Sequence, residues 1–262
     1  MAVRIQRVFF YAIAILVTAL LAVGIAFFVV AQLIIGWLPD STIATIAPDL
    51  EWPAHRLHDV AMASIELPLL MGVGLQLYRP RRRIALLLLA AVFAATFAAV
   101  QLAVGELMLP GGLAAVAIAV LLVLLHPAGP AAFLPRRVDR TMLAVVVVGG
   151  APWLFFAIGQ AALASASAPG DSHDAMEHWT RMTALGCLAI VYPMVASTDL
   201  PGWRLAGWLA ATPPIVFGMQ SLVFPDQASA ATLPWGVLAV VYGLTLIGVT
   251  ETRARKPNQR QV

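Results

Sequence analysis

The sequence has few charged residues and a single cysteine. Only 11% of its 262 residues are charged and 61% are hydrophobic, whereas a typical soluble domain has about 25% charged and about 45 to 50% apolar residues. Apolar runs recur from Val8 to Val249 and leave no polar stretch long enough for a soluble domain. The composition excludes an ordinary water-soluble fold and predicts one membrane domain over residues 1–262.

Several functional signatures are also missing. The sequence contains no phosphate-binding loop, no HExxH zinc motif and no GxSxG nucleophile elbow, so it does not show whether the protein is an enzyme. The net charge is +3, but the basic residues are spread among short segments, which argues against nucleic-acid binding. The lone Cys187 cannot form an intrachain disulfide.

Eight apolar segments reach or approach the length of a membrane span, which needs ~20 residues because the hydrocarbon core is ~30 Å thick. Together they predict an all-α polytopic membrane protein with eight transmembrane helices. The segments lie at about 9–37, 57–78, 84–105, 110–126, 141–165, 176–197, 204–223 and 233–250.

The basic residues predict the orientation of these helices, because cytoplasmic loops carry an excess of Lys and Arg. With the N-terminus inside, fourteen basic residues fall on the cytoplasmic side and only Arg56 and Arg181 on the outer side. Both termini are therefore predicted to be cytoplasmic. Arginine outnumbers lysine fifteen to one, which is typical of a GC-rich bacterial genome, so the predicted location is a bacterial inner membrane.

Short features recur in the same order in the two halves of the chain, at offsets of 119 to 128 residues. They predict two tandem four-helix repeats, about 1–130 and 131–262, in parallel orientation around a pseudo-twofold axis. The alternative is chance recurrence in an apolar sequence. The matching pairs are Gln32 and Gln160, His58 and His178, Met62 and Met182, Gln101 and Gln220, and the Leu-Pro steps at Leu109 and Leu233.

Polar side chains within membrane spans usually face the bundle interior and often serve a function. The predicted helix depths place most of those in this chain in one layer at the outer helix ends. His58 and His178 stand at the mouths of the second and sixth helices. The supporting residues of this layer are Gln32, Gln160, Gln101, Gln220, His55, His173, Arg56 and Arg181.

The repeated His-x-x-x-Met motif predicts a metal site. Residues four apart lie on the same helix face, so His58 with Met62, and His178 with Met182, each present an imidazole above a thioether. If the two helices meet, these residues form a His2Met2 set. Such soft ligands suit copper, especially Cu(I).

Two other interpretations of the histidines remain open. In one, His58 and His178 are the axial ligands of a haem b whose propionates meet Arg56 and Arg181. In the other, the histidines pair with nearby carboxylates such as Asp174, and the methionines only fill gaps in an apolar bundle.

Glu66 falls near the middle of the second predicted span, where a charge is costly. It continues the stripe of His58 and Met62, so one hypothesis makes it a proton relay or coupling group. The structural alternative is a neutral carboxyl that bonds a carbonyl freed near Pro68, or a glutamine. His126, at the cytoplasmic end of the fourth helix, is interpreted as a structural cation at a helix C-terminus.

The segment Glu51–Arg56, EWPAHR, is similar to the glutamate-histidine-arginine segment of haem A synthases, which also carry histidines on helices 2 and 6 of two four-helix halves. The fourth and eighth helices here lack an outer histidine, and the acid is one residue too far from His55, so haem A synthesis is not implied.

The sequence predicts an integral membrane protein whose outward-facing His/Met site binds haem b or copper, for redox or metal handling. A redox or membrane-complex partner would fit this function. The alternatives are a small proton-coupled transporter or channel that uses Glu66, and a non-catalytic subunit of a membrane complex.

Overall fold

The computed structural model describes residues 2–46, 52–105, 109–166 and 177–255. All the secondary-structure elements assigned in these ranges are helices, which confirms the all-α prediction for this part of the chain. A π-helical turn, Ala22–Ala26, joins the first two helices. The α-helices are α1 (Ala2–Leu21), α2 (Phe27–Ile35), α3 (Asp40–Ile46), α4 (Trp52–Gly74), α5 (Ile84–Val104), α6 (Leu109–Leu125), α7 (Arg140–Ala166), α8 (His178–Ala196), α9 (Trp203–Val223) and α10 (Leu233–Arg255).

Six helical segments in the described ranges are long and apolar enough to cross a membrane. The apolar part of α6, Pro110–Leu125, is shorter, and α9 contains Arg204 and two prolines and is not among the six. The chain thus has the character of a helical membrane protein, whereas eight spans remain a prediction. The six segments are Arg4–Ile35, His55–Leu77, Ile84–Val104, Arg140–Ala166, His178–Ala196 and Leu233–Arg255.

Four helices form the centre of the bundle. α4 packs against α5 and α9, α8 packs against the same two helices, and α4 also contacts α8 directly. α2 and α6 lie outside α4 and α5, while α7 and α10 lie outside α8 and α9. The contacts within this centre are symmetric: α4 contacts α5 as α8 contacts α9, and α4 contacts α9 as α8 contacts α5. Tandem repeats would produce such an arrangement, and the duplication itself remains a prediction.

Small residues allow the closest helix contacts. A Cβ atom on Gly218 of α9 would lie 2.6 Å from the carbonyl oxygen of Gly236 and 2.8 Å from Cγ2 of Val240. Only glycine lets the two backbones approach so closely, and membrane helices use such contacts because lipid supplies no hydrophobic drive between them. Gly218 therefore fixes the packing of α9 on α10.

Two buried tyrosines bind carbonyl groups near helix prolines. A proline within a helix removes the hydrogen bond to the carbonyl four residues earlier. Pro193 leaves the Ala189 carbonyl without its helical hydrogen bond, and the Tyr242 hydroxyl donates to this carbonyl at 3.1 Å. Three residues before Pro68, the Ile65 carbonyl accepts from the Tyr192 hydroxyl at 2.8 Å. α10 is thereby tied to α8, and α8 to α4.

His126 lies directly after α6 and is fully buried between the rings of Phe10 and Phe133. The backbone N–H of Ala128 donates to its Nδ1 at 3.1 Å. Burial lowers the pKa of His126 to about 4, so the ring is neutral at physiological pH. Its structural role stands, but the expectation of a cation at the helix terminus is wrong.

Candidate metal centre

Two of the three central histidines come from the first turns of α4. This helix begins at Trp52, and Pro53 is tolerated there because the first-turn N–H groups have no helical partner. His55 and His58 are therefore both helical. Residues three apart lie on one face of a helix, so the two imidazoles are directed to the same side.

The third histidine, His178, opens α8 and meets the other two across the contact between α4 and α8. Its Nδ1 lies 3.1 Å from Nδ1 of His55. Its ring stacks on that of His58 with a centroid distance of 4.7 Å and an interplanar angle of 5°. One ring nitrogen from each histidine lies within 4.8 Å of those of the other two. The three residues form what we call the histidine cluster.

The dimensions of the histidine cluster suit a metal ion. Two imidazole nitrogens bound to a tetrahedral ion at ~2.05 Å stand ~3.3 Å apart, close to the 3.1 Å between the Nδ1 atoms of His55 and His178. All three side chains are at most 3% exposed. Without a metal, the same Nδ1 pair would form an N–H···N hydrogen bond. The cluster can hold a metal ion, and its geometry does not identify the ion.

Polar groups lie beside two of these rings. Asp59 Oδ1 lies 3.9 Å from Nε2 of His178 and accepts a hydrogen bond from Gln32 Nε2 at 3.3 Å. A carboxylate at one ring nitrogen orients a metal-binding histidine and raises its basicity. Asp59 therefore stands on the side of His178 where such a carboxylate would act.

A second chain of hydrogen bonds leaves the cluster from His58. Its Nε2 lies 3.1 Å from the hydroxyl of Ser229, and this hydroxyl donates to Oε1 of Gln160 at 2.8 Å. Because the hydroxyl proton is used by Gln160, the His58 N–H is the donor to Ser229. These hydrogen bonds link α4 to α7 through Ser229, in the segment that precedes α10.

The predicted methionine ligands lie one turn further along their helices. Met62 and Met182 are 6% and 1% exposed and pack in the apolar core. Both the copper interpretation and the gap-filling interpretation place them there. Their role as ligands stays a prediction.

The predicted outer-layer glutamines have separate partners. Gln32 and Gln160 belong to the two hydrogen-bond arrangements beside the cluster, and Gln220 Nε2 donates to the Gly36 carbonyl at 3.4 Å. Gln101 is buried where α5 meets α6, against Gly112. The predicted His173 lies outside the described residues.

The two outer arginines differ in their surroundings. Arg56 is 1% exposed, forms an ion pair with Asp40, donates to the Leu38 carbonyl at 3.3 Å and stacks over Phe224 at 4.2 Å. The charge of Arg181 acts on Glu66. Arg56 therefore ties α4 to the start of α3, a role that its position in the sequence did not indicate.

Glu66 lies two turns from His58 on α4 and is partly buried. Besides Arg181, Tyr192 of α8 lies within its electrostatic reach. The Ile65 carbonyl beside Pro68 accepts a hydrogen bond from Tyr192. Glu66 and Arg181 thus interact electrostatically across the same helix contact that carries the cluster.

The sequence pattern predicts His55 as a supporting residue rather than a ligand. It predicts the start of the second helix at about residue 57, whereas α4 begins five residues earlier, at Trp52. The spacing His55-x-x-His58 is a signal that could have joined the two imidazoles. Ser229 gave no such signal, because its contact with His58 spans 171 positions of the chain.

No family model, curated protein or solved structure matches this chain. Fold and site define its class instead. It is an α-helical protein of membrane character with a buried cluster of three histidines that can hold a metal ion.

Proposed function

We propose that this protein is an integral membrane protein that binds a copper ion at His55, His58 and His178, for redox or metal handling. The observation that carries the proposal is the convergence of three buried imidazoles within 4.8 Å. Each of the three rings offers one nitrogen to the same small space, as ligands of a shared ion must. In the predicted orientation the cluster stands at the outer end of the bundle.

The arrangement of the rings favours a metal ion over haem b. Axial histidines lie on opposite faces of a haem and direct their ring nitrogens at the iron between them. His58 and His178 are stacked face to face at 4.7 Å, which leaves no space for a macrocycle between them. The engagement of Arg56 with Asp40 also removes one expected partner of the propionates.

The nearby thioethers favour copper among metal ions. Imidazole nitrogen alone suits zinc, copper and other transition metals, but thioether sulfur selects Cu(I). Met62 and Met182 follow two of the cluster histidines by one helical turn and are buried with them.

Metal analysis of the purified protein tests the proposal. We expect the protein in detergent to bind about one Cu(I) per chain in competition with bathocuproine disulfonate. Each of His55→Ala, His58→Ala and His178→Ala should weaken binding at least tenfold. The matched control is His126→Asn, which removes a buried imidazole far from the cluster and should leave binding unchanged. A Soret band, a preference for Zn2+, or equal binding by all variants would overturn the copper assignment.

A second candidate function rests on Glu66. Glu66 lies within the electrostatic reach of Arg181, and ionisable groups within a membrane bundle often mark an ion or proton pathway. Proton-coupled flux into proteoliposomes that is lost in Glu66→Gln but retained in His55→Ala would favour a transporter over a metal protein.

A further inference from the structure

A cavity of about 940 Å³ opens between α7 and α10. These two helices touch each other much less than they touch α8 and α9, so the space between them opens on the side of the bundle. Val148 and Phe155 at its edge are 78% and 75% exposed, and in a membrane such positions face lipid. The volume lies in the range of pockets that hold drug-sized ligands.

The cavity wall is neutral and rich in aromatic rings. None of the described residues that line the cavity is charged, which disfavours phospholipids and fatty acids because their head groups carry charge. Trp153 and Phe156 each pack edge-on against Phe217, with centroid distances of 5.3 and 5.0 Å, and all three line the space. Aromatic walls favour a flat ring as the occupant.

One end of the cavity carries a polar group that is suited to a carbonyl ligand. Gln160 is 7% exposed and lines the cavity. Its Oε1 accepts from Ser229, whereas its Nε2 donates to no residue in the described ranges. A hydrogen-bond donor left in an apolar space favours an acceptor on the ligand.

From these features we infer that the cavity binds a membrane quinone, with one quinone carbonyl accepting a hydrogen bond from the Gln160 amide. The ring would lie among Trp153, Phe156 and Phe217, and the apolar tail would leave through the lateral opening. The head would then be separated from His58 of the histidine cluster only by Ser229. The inference does not depend on metal binding.

Calorimetric titration of the protein in detergent with decyl-benzoquinone tests this site. We expect saturable binding that Val148→Phe weakens at least tenfold, because the larger side chain fills the cavity. The matched control is Val147→Phe. Val147 is 67% exposed on the same helix but does not line the cavity, so this variant should bind as the original protein does. If Val148→Phe fails to fold, Ala144→Leu serves as the second variant, because Ala144 also lines the cavity and a larger side chain there fills the same space.

A second comparison separates quinone recognition from unspecific filling by lipid. Gln160→Leu should weaken decyl-benzoquinone about tenfold and leave decylbenzene, which has no carbonyl, unaffected. Equal affinities of Val147→Phe and Val148→Phe would overturn the proposal. So would binding of decylbenzene as tight as that of the quinone, because the cavity would then hold only apolar chains.

Discussion

The imidazoles of His58 and His178 lie parallel, 4.7 Å apart, although 120 positions separate them in the chain. One belongs to α4 and the other to α8, so the pair joins the two halves of the protein. Nε2 of His58 is hydrogen-bonded to Ser229, and Nε2 of His178 lies 3.9 Å from Oδ1 of Asp59. The cluster therefore has supporting residues whose removal should alter metal binding without removing a ligand.

Asp59→Asn should weaken metal binding by about 10- to 100-fold, the range found when a partner of a metal-bound histidine is lost. The amide cannot stabilise the His178 N–H as a carboxylate does. Asp40→Asn is the control, since Asp40 pairs with Arg56 away from the cluster and should not affect affinity. Competition titration of both variants with the same chelator measures the effect, and equal affinities would show that Asp59 has no orienting role.

Replacing the two buried methionines tests the thioether ligands. Met62→Leu and Met182→Leu keep the side-chain volume, so the fold should tolerate them. We expect each to lower Cu(I) affinity about tenfold and to leave Zn2+ affinity unchanged, because zinc rarely uses thioether sulfur. Met142→Leu, in the fully buried core of α7, is the matched control. A parallel loss of both metals would instead indicate a packing role.

The free energy of unfolding should decrease as the pH is lowered, because His126 is buried in its neutral form. Its folded-state pKa of about 4 lies below the ordinary value of 6.5, so the unfolded chain takes up the proton first. The stabilisation is complete above pH 6.5 and is lost between pH 6.5 and 4, with about 2 kcal/mol gone at pH 5. Thermal unfolding in detergent between pH 7.5 and 4.5 would show the decline.

His126→Asn provides the comparison for this pH dependence. Asparagine offers an acceptor to the Ala128 N–H but does not titrate, so its melting temperature should depend less on pH over the same interval. Identical pH profiles for the two proteins would assign the decline to other groups.

Gly218→Ala should lower the free energy of unfolding by about 2 kcal/mol, since a Cβ there meets the backbone of Gly236 and must push α9 away from α10. Gly159→Ala is the matched change, because a Cβ there meets nothing within 4 Å. It should be neutral or slightly stabilising, as alanine is the better helix former. Chemical unfolding of both variants measures the difference between their free energies of unfolding. Equal values would show that α9 and α10 do not pack closely at Gly218.

The sequence indicated the long helices because membrane spans leave a strong apolar signal. It did not indicate α3, since Asp40–Ile46 is only seven residues long and too short for such a signal. The start of α4 was also misplaced, because polar residues and Pro53 resemble a loop although they form a normal first helical turn. That error separated His55 from His58.

The composition of the site was harder to predict than its location. The repeated histidines and glutamines predict one layer, and in the structure Gln32 and Gln160 bond to groups that lie beside His178 and His58 respectively. The partners of Arg56 and Glu66 depend on how helices rotate against each other, and neither hydropathy nor charge counts carry that information. Ser229 reaches His58 only because the chain folds back before α10.

The two tyrosine bonds near Pro68 and Pro193 connect three helices in series. Tyr242 of α10 holds a carbonyl of α8, and Tyr192 of α8 holds a carbonyl of α4, each where a proline has weakened the helix. An outward movement of α10 would act first on α8, through the Ala189 carbonyl, and on α4 only through Tyr192. Two hydrogen bonds in series thus connect the cavity wall, which Tyr242 lines, to the turn of α4 that carries Glu66.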